Sequence, residues 1–306
     1  MKALITGSEG FVGRYLMEEL ENNGYDSVIG LDIRPGRRTV QADLLDAAQT
    51  RAILEAEKPD AVFHLAGQAN VGRSWQIPGR TVELNVVAAI NVMDAMRAVC
   101  PEARLLLVGS SDQYGQLGDK GALVSEQTPA QPNNPYAISK AAQESMAMAY
   151  ARAYGLQVCM TRSFNHGGAG QQPGFMIPDF ASGIVAVERG EADCLRVGNL
   201  TSRRDFTHVK DVVRAYRLLA EKGHPGEVYN IGSGEAYSAQ EILDRLIAMA
   251  SCPIPVQQDP ARMRPSDTPV IRCDHAKLTA HTGWEPLCTL DDILRDTLTY
   301  YRSLEA

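Results

Sequence analysis

The sequence lacks three features that would point to other classes of protein. Its six cysteines are scattered, without a Cys-x-x-Cys pair or another metal-ligand spacing, so we predict free thiols and no metal site. No stretch approaches the roughly 20 consecutive apolar residues of a membrane span, and no signal peptide precedes the first predicted strand. Acidic residues (37) outnumber lysine and arginine (30), which argues against nucleic acid and acidic membranes as partners. We therefore expect a cytoplasmic protein.

What is present is the composition of an ordinary globular protein. Of the 306 residues, 44% are hydrophobic and 22% are charged. A chain of this length buries roughly 75% of its unfolded surface, which suits one large domain or two closely joined ones. Because the net charge is −7, an anionic ligand would need locally placed arginines.

The first half of the chain alternates short β-branched runs with amphipathic helical stretches. Predicted strands are 2–6, 27–31, 61–65, 105–110 and 157–162, and predicted helices are 12–22, 47–57, 80–99 and 136–154. This alternation indicates a parallel sheet with helices on both faces. We therefore predict an α/β fold with a Rossmann-type doubly wound parallel sheet over residues 1–165.

After residue 165 the sequence changes to loops rich in glycine and proline, with shorter helices at 178–189, 209–222 and 238–250. The segment 228–231 is typical of a strand that rejoins the first sheet. Residues 166–306 are thus expected to form a smaller lobe, interwoven with the first.

A glycine-rich turn, Gly7-Ser-Glu-Gly10-Phe-Val-Gly13, follows the first predicted strand. Its first gap is one residue longer than in the usual dinucleotide fingerprint. Glycines at this place allow a tight turn and let a pyrophosphate approach the backbone N–H groups of the helix N-terminus. We predict a dinucleotide site that includes Gly7, Gly10, Phe11, Val12 and Gly13.

Asp32 ends the second predicted strand and bears on the type of dinucleotide. A carboxylate there can accept both ribose hydroxyls of NAD and would repel the 2′-phosphate of NADP. Arg34, Arg37 and Arg38 follow, and they either offset that repulsion or form a solvated turn. NAD(H) is the favoured cofactor, and NADP(H) stays open.

Two later segments fit positions beside the same nucleotide. Asp43 and Leu44 follow a short third strand expected between Asp32 and Asp43, and Leu65, Ala66 and Gly67 stand at the end of the predicted strand 61–65, which is then the fourth. We expect them to flank the adenine and the pyrophosphate, although apolar strands that end in glycine or aspartate are common.

A tyrosine and a lysine stand four residues apart in Tyr136-Ala-Ile-Ser-Lys140, directly after the helix-start signal 133–135. Residues i and i+4 share one helix face, so the phenol and the ammonium can reach one site. A phenol has an ordinary pKa of about 10, and a neighbouring cation favours its ionised form. The pair therefore indicates proton exchange with a substrate oxygen, and a surface pair is the alternative.

A third motif, Gly109-Ser110-Ser111-Asp112-Gln113-Tyr114-Gly115, follows the strand at 105–108. Its hydroxyls therefore lie at the carboxyl end of a parallel strand, where such sheets bind ligands. With the glycine turn, His64-Leu-Ala-Gly67 and the segment 135–140, this order of motifs resembles the short-chain dehydrogenase/reductase family in its extended form, which acts on nucleotide sugars. The resemblance covers the whole chain.

The resemblance implies a role for each catalytic residue. Tyr136 would exchange the proton, while Lys140 would lower its pKa and bind the nicotinamide ribose. Ser110 would polarise the substrate oxygen, with Ser111 as the second choice. Phe164 would lie near the nicotinamide.

Later motifs are similar to the GDP-mannose branch of this family, and they imply that residues 166–306 bind a GDP-sugar. These motifs span residues 162–171, 174–180, 197–200, 204–211 and 262–267. Guanidinium groups match phosphate oxygens, so Arg204 and Arg264 are candidates for the diphosphate, with surface ion pairs to Asp205 or Asp267 as the alternative. The other predicted substrate contacts are Ser111, Asn165, Asn199 and Asp267. His166 and His208 are interpreted as structural.

The implied activity is NAD(P)H-dependent reduction of the C4 ketone of GDP-4-dehydro-6-deoxy-D-mannose to GDP-D-rhamnose. A GDP-mannose 4,6-dehydratase is the main alternative, and a nucleotide-sugar 4-epimerase is another. A dehydratase needs an additional acid/base, usually a glutamate, two residues after the catalytic hydroxyl. This chain has Asp112 there, whose side chain is one methylene shorter than that of glutamate. The short segment between Asp32 and Asp43 and the presence of Gly13 favour the reductase.

The family resemblance also implies a homodimer. Helices 80–99 and 136–154 commonly form a four-helix interface in such enzymes, and here both are rich in alanine and methionine.

Overall fold

The computed structural model describes residues 1–115, 122–262 and 271–304. Within these ranges the strands are β1 (Lys2–Thr6), β2 (Ser27–Asp32), β3 (Thr39–Gln41), β4 (Ala61–His64), β5 (Arg104–Ser110), β6 (Ala122–Val124), β7 (Val158–Ser163), β8 (Asn165–Gly167), β9 (Leu195–Val197), β10 (Arg203–His208), β11 (Val228–Ile231), β12 (Ala236–Ser238), β13 (Val256–Gln258) and β14 (Ile271–Cys273). The helices are α1 (Phe11–Asn22), α2 (Ala47–Glu57), α3 (Val71–Gln76), α4 (Pro78–Val82), α5 (Ala88–Val99), α6 (Pro135–Tyr154), α7 (Met176–Glu188), α8 (Val209–Lys222), α9 (Ala239–Ala248), α10 (Ala276–Thr282) and α11 (Leu290–Ser303).

Seven parallel strands form the main sheet, in the order β11-β7-β5-β4-β1-β2-β3. Strand β1 pairs with both β2 and β4, so that Thr6 lies opposite Leu31 on one side and His64 on the other. The strand order reverses between β1 and β4, and in such sheets this point opens a crevice at the carboxyl edge. The predicted α/β class with a Rossmann-type sheet is confirmed.

Helices cover both faces of this sheet, because alternate residues of a strand point to opposite sides. Ala3 and Ile5 of β1 enter one core, and Leu4 enters the other. The first core contains residues of α1, α8 and α10, among them Leu16, Leu20, Tyr216, Leu219 and Leu278. The second contains residues of α2, α5 and α6, among them Leu54, Val92, Met96, Ala147 and Tyr150.

The chain enters the C-terminal lobe, returns to the main sheet, and leaves it again. Strand β11 pairs in parallel with β7, with Val228 opposite Met160 and Ile231 opposite Ser163. Helices α7, α9 and α11 enclose a third core, which includes Ile177, Ile184, Ile242, Leu246 and Leu294. Three small sheets, β12-β10-β8, β13-β9 and β14-β6, complete the lobe. The division of the chain at residue 165 stays a prediction.

The predicted helix 80–99 is wrong in its middle. Helix α4 ends at Val82, a π-helical turn covers Glu83–Val87, and α5 begins at Ala88. The wider turn contains Asn85, which is fully buried and bonded to Gln68 and Ser139. Single π-helical turns inside α-helices are frequent at functional sites.

None of the helices in the described ranges combines the length and the apolar character that crossing a bilayer would require.

Candidate active site

The glycine turn after β1 leaves the N-terminus of α1 open to an anion. A Cβ on Gly13 would lie 2.3 Å from the carbonyl oxygen of Gly7, and one on Gly7 would lie 2.9 Å from the backbone nitrogen of Ala66. Gly7 also has a φ of +74°. Gly10 caps α1 without a side-chain hydrogen bond, and the first turn of the helix has no acidic residue. The N–H groups and dipole of this helix end therefore suit a pyrophosphate, as predicted for a dinucleotide.

Phe11 and Val12 form the first turn of this helix, and both pack partly against the core beside α8. The Phe11 ring stacks on the His166 imidazole, with 6.3 Å between ring centroids and 8° between planes. Burial lowers the pKa of His166 below its ordinary value. His166 thus connects the glycine turn to the C-terminal lobe as a neutral ring.

Asp32 lies at the carboxyl end of β2 and is 7% exposed. Its carboxylate accepts hydrogen bonds from the backbone nitrogens of Glu9 and Arg34, both at 3.0 Å. The Arg34 guanidinium also contacts it, at 3.4 Å. Arg38 forms an ion pair with Glu21 instead. The carboxylate therefore lies beside the glycine turn, where a ribose would follow the pyrophosphate.

The segments after β3 and β4 lie at the same edge of the sheet. Leu44 is buried, and Asp43 is exposed and accepts a hydrogen bond from Leu45 at 3.0 Å. The backbone nitrogen of Ala66, next to Leu65, donates to the Thr6 hydroxyl at 3.2 Å.

Gly67 connects this nucleotide segment to the catalytic helix. A Cβ on Gly67 would lie 2.6 Å from Asn85 Oδ1 and 3.9 Å from Lys140 Nζ. Asn85 Nδ2 donates to Ser139 Oγ at 2.8 Å, so the π-helical turn is also tied to α6. Sequence reasoning missed Asn85, because its partners Gln68 and Ser139 come from other segments of the chain.

Local sequence explains where α6 begins. The Asn134 side chain accepts a hydrogen bond from Ala137 N at 2.9 Å, and Pro135 occupies the first helical position. Tyr136 therefore lies in the first turn of α6, next to the end of β5. Tyr136 and Ser110 are each 8% exposed.

Three predicted catalytic groups meet at this point. Tyr136 is hydrogen-bonded to Ser110, and the charge of Asp112 acts on its phenol. Burial raises the pKa of Tyr136 well above its ordinary value, Asp112 raises it further, and the bond to Ser110 partly lowers it. The phenol is thus held in its protonated form. Ser111, the second choice for the hydroxyl, is buried in the same turn.

Lys140 lies one helical turn beyond Tyr136 and faces the sheet. Its Nζ donates to the Val108 carbonyl oxygen at 2.7 Å and to Gln143 Oε1 at 3.1 Å. Burial lowers the pKa of Lys140 to about 8. We expected a cation that lowers the pKa of Tyr136, but this structure has a raised Tyr136 pKa, because burial and Asp112 outweigh any opposing charge.

His64, at the end of β4, carries no charge near neutral pH. Its Nδ1 is hydrogen-bonded to the Thr6 hydroxyl at 2.9 Å, and Nε2 is buried without a partner in the described part of the chain. Burial lowers the pKa of His64 to about 3, and the charge of Lys140 acts in the same direction. Lys140 is therefore the cationic group of this pair.

A buried polar network holds the turn that carries Ser110 and Asp112. Gln113 Oε1 accepts from the Ser110 backbone nitrogen at 3.0 Å, and Gln113 Nε2 donates to Glu144 Oε2 at 2.8 Å. Glu144 lies on α6 and forms two bonds with Arg162 of β7, at 2.7 and 3.0 Å. Sequence reasoning did not identify this network, because its members are far apart in the chain.

The Arg162 guanidinium also lies 4.8 Å from the centroid of the Tyr114 ring. Burial alone would lower the pKa of Arg162, but the hydrogen bonds and charge of Glu144 raise it above its ordinary value. The Tyr114 hydroxyl donates to Asn230 Oδ1 of β11 at 2.7 Å. The network thus connects the catalytic turn to α6, β7 and β11.

Three of the predicted substrate residues lie on β8, on β10 and in the loop between β9 and β10. Asn165 is exposed, and its Nδ2 approaches the Asp205 carbonyl oxygen at 3.4 Å. Arg204 is half-buried and donates to the Arg203 carbonyl oxygen at 2.7 Å. The Asn199 side chain accepts from Thr201, at 2.9 Å from the backbone nitrogen and 2.8 Å from the hydroxyl.

Asp205 is 1% exposed, and its carboxylate points into the lobe. It accepts hydrogen bonds from Ser233, Gly234 and Cys273 at 2.7 to 2.9 Å. Asp205 therefore joins β10 to β14 and to the loop after β11. Sequence reasoning considered it only as a surface partner of Arg204.

Phe164 is 2% exposed and belongs to a small apolar cluster with Tyr114, Val124, Ile271 and Cys273. Its predicted place near the nicotinamide stays a prediction. Arg264 and Asp267 lie outside the described residues.

A sequence model of the GDP-mannose 4,6-dehydratase family matches residues 4–297. The chain belongs to this family. It is therefore a member of the extended short-chain dehydrogenases/reductases, the group of nucleotide-sugar oxidoreductases that the motifs resembled.

Relatives cover almost the whole chain. The GDP-6-deoxy-D-mannose reductase of Pseudomonas aeruginosa is 35% identical over 99% of this chain and 97% of its own length. A structure of RMD from Pseudomonas aeruginosa complexed with NADPH is 34% identical, with a TM-score of 0.89 over 99% of both chains. The UDP-glucose 4-epimerase of Thermus thermophilus, in complex with NAD, has the same TM-score and coverage at 28% identity.

Proposed function

We propose that this protein reduces the C4 ketone of GDP-4-dehydro-6-deoxy-D-mannose to GDP-D-rhamnose, with NAD(H) favoured and NADP(H) usable. The observation that carries the proposal is the full-length similarity to a GDP-6-deoxy-D-mannose reductase. Catalytic geometry alone does not select the reaction, because reductases, dehydratases and epimerases of this family share the serine, tyrosine and lysine.

The residues at the carboxyl edge of the sheet fit a nicotinamide dinucleotide. The turn Gly7–Gly13 would hold the pyrophosphate, Asp32 the adenosine ribose, and Lys140 the nicotinamide ribose. The segments Asp43–Leu44 and Leu65–Gly67, with Phe164, would flank the bound cofactor. When bound, this cofactor supplies the hydride.

The proton chemistry follows from the environment of Tyr136. A reduction must deliver a proton to the C4 oxygen, so its acid has to start protonated. The raised pKa of Tyr136 keeps the phenol in that form near neutral pH. Ser110, which is hydrogen-bonded to the same phenol, would stabilise the developing alkoxide. The positive charge of Lys140 would then stabilise the phenolate that Tyr136 becomes when it gives up its proton.

The sugar nucleotide would lie along the C-terminal lobe. Arg204 and Arg264 are the proposed diphosphate ligands, and Asn165 would donate its amide to the same group. Ser111, Asn199 and Asp267 are the other proposed contacts.

A coupled assay tests the reaction. The protein is supplied with GDP-mannose or with GDP-4-dehydro-6-deoxy-D-mannose, each with and without NADH. We expect stoichiometric NADH consumption with the keto sugar only. Keto-sugar formation from GDP-mannose without added reductant would establish a dehydratase instead. A parallel incubation with UDP-sugars tests the epimerase, which their turnover would favour.

One observation favours the dehydratase as second candidate. Asp112 follows the catalytic hydroxyl by two residues, and its charge reaches the Tyr136 phenol. A carboxylate there could remove the C5 proton that elimination requires. The assay above separates this activity from the reductase.

We also propose a homodimer through α4, α5 and α6. Exposed apolar side chains lie on α4, on the π-helical turn that leads into α5, and on α6: Val82 is 43% exposed, Val87 40% and Ile138 50%. Burial of such side chains favours association. The six cysteines are free thiols, which suits the cytoplasm, and fractionation of cells that express the protein would test that location.

A further inference from the structure

Glu9 lies inside the glycine turn, and its side chain reaches β3 and the loop between β2 and β3. Its backbone nitrogen donates to Asp32 Oδ2 at 3.0 Å. Its own carboxylate accepts from the Thr39 hydroxyl of β3 at 2.7 Å. The residue that holds the Asp32 carboxylate through its backbone therefore brings a second carboxylate to the neighbouring strand β3.

The loop between β2 and β3 closes over Glu9 and fixes its position. A Cβ on Gly36 would lie 1.8 Å from Glu9 Oε1, so only glycine fits there without movement. The Glu9 side chain is 15% exposed. Its carboxylate is thus largely buried and bonded to β3 rather than free at the surface.

Three of the four nearby arginines have carboxylate partners, and Arg37 has none among the described residues. Arg34 contacts Asp32 at 3.4 Å, and Arg14 lies 3.8 Å from Glu9. Arg38 pairs with Glu21 on the outer side of α1. A 2′-phosphate would therefore compete with carboxylates for each of these guanidinium groups, and it would stand beside two negative charges.

We propose that Glu9 is a specificity-determining residue that, together with Asp32, disfavours NADPH relative to NADH. The inference rests on the proposed nicotinamide-dependent function. Asp32 supplies acceptors for the ribose hydroxyls, and Glu9 adds the second charge that a 2′-phosphate would meet. The NADPH in the Pseudomonas RMD structure therefore does not determine the preference of this chain.

Equilibrium titration of the full chain with NADH and with NADPH, without sugar nucleotide, tests the inference. Glu9→Gln keeps the length of the side chain and an oxygen for Thr39 but removes the charge. We expect the ratio Kd(NADPH)/Kd(NADH) to fall about tenfold, mainly through tighter NADPH binding. Glu18→Gln removes the same charge from an exposed position of α1 and is expected to leave the ratio unchanged.

The possible outcomes separate this inference from the proposed function. If Glu9→Gln binds NADH but keeps the wild-type ratio, or weakens both nucleotides by one common factor, Glu9 is only structural and the inference is overturned. If neither nucleotide binds the wild-type chain, the proposed function itself fails. Thermal unfolding of each variant identifies a folding defect. If Glu9→Gln does not fold, the ratio Kd(NADPH)/Kd(NADH) is measured for Glu9→Ala, which also removes the charge.

Discussion

At the scale of single residues, the environment of Tyr136 determines which form of the phenol starts the reaction. Burial and the Asp112 charge raise its pKa, and Ser110 is hydrogen-bonded to it. The pKa of Lys140 is shifted in the opposite direction, because burial disfavours its charged form and so lowers the pKa. The Tyr136 phenol is thus protonated near neutral pH, and the Lys140 amine, one helical turn away, loses its proton more readily than an ordinary lysine.

We predict that Tyr136→Phe lowers the rate of keto-sugar reduction by about 10²- to 10⁴-fold, because the variant lacks the acid. NADH binding should persist, since the ring remains. Rates of NADH oxidation with the keto sugar and NADH titration measure the two properties. Tyr154→Phe changes an exposed tyrosine at the end of the same helix and is the control. Wild-type activity of Tyr136→Phe would remove Tyr136 from the mechanism.

Lys140 should make stability depend on alkaline pH. Its pKa is about 8 in the folded chain against an ordinary 10.5, so between these values the unfolded chain binds more protons at this site. Unfolding free energy therefore rises with pH across that window, and the burial penalty is fully present below pH 8. Relative to Lys140→Met, the wild type should gain about 3 kcal/mol between pH 8 and 10.5.

Urea unfolding of both proteins at several pH values measures this difference. Groups common to the two proteins cancel, so the comparison isolates Lys140. A difference that stays constant from pH 7 to 10.5 would mean that Lys140 has an ordinary pKa in the folded chain.

At the scale of elements, the catalytic turn Ser111–Tyr114 and helix α6 are positioned by one buried ion pair. Arg162 and Glu144 are 9% and 14% exposed at their side chains, and Gln113 transmits the contact to Ser110. Removing one partner of a buried pair leaves an unpaired charge. The pair therefore couples the folding of β7 to the geometry of the active site.

We predict that Glu144→Gln lowers the unfolding free energy by about 3 kcal/mol. Glu83→Gln disrupts the exposed pair with Arg80 and should cost less than about 0.5 kcal/mol. If Glu144→Gln folds, its kcat should fall, because Gln113 loses the Glu144 carboxylate and no longer holds Ser110 in place. Its Kd for NADH should be retained, because the glycine turn does not contact this network. Equal costs for the two variants would show that the buried pair has no special role.

At the scale of the whole molecule, apolar side chains are exposed on α4, on the π-helical turn after it, and on α6. Ile138 lies one helical turn or less from Tyr136 and Lys140, yet it is half exposed. A second copy of the chain would cover it. The proposed interface therefore lies on the exposed side of α6, the helix that carries Tyr136 and Lys140.

We predict that Ile138→Glu produces a monomer, because the substitution buries a charge in the interface. Mass determination in solution measures this for the wild type and the variant. Leu287→Glu changes a side chain that is 74% exposed outside this surface, and it should leave the mass unchanged. A monomeric wild-type protein would refute the dimer.

Local sequence was sufficient for the main elements of the fold and for the order of the motifs. The strand at Lys2–Thr6 and the helices at Ala47–Glu57 and Val209–Lys222 have their predicted bounds, because apolar periodicity and cap residues are local signals. The π-helical turn at Glu83–Val87 was not predictable. It depends on bonds from Asn85 to Gln68 and Ser139, which come from other segments.

By itself, the sequence determined the α/β class, the glycine turn, and the candidate catalytic set of Ser110, Tyr136 and Lys140. Those conclusions depend on spacing and residue type, which are properties of the chain. Only the tertiary structure decided the protonation state of Tyr136, the direction of the Lys140 ammonium, and the pairing of Glu9 with Asp32 at the nucleotide edge. Burial and through-space charge control these properties, and both arise from residues that meet only when the chain folds.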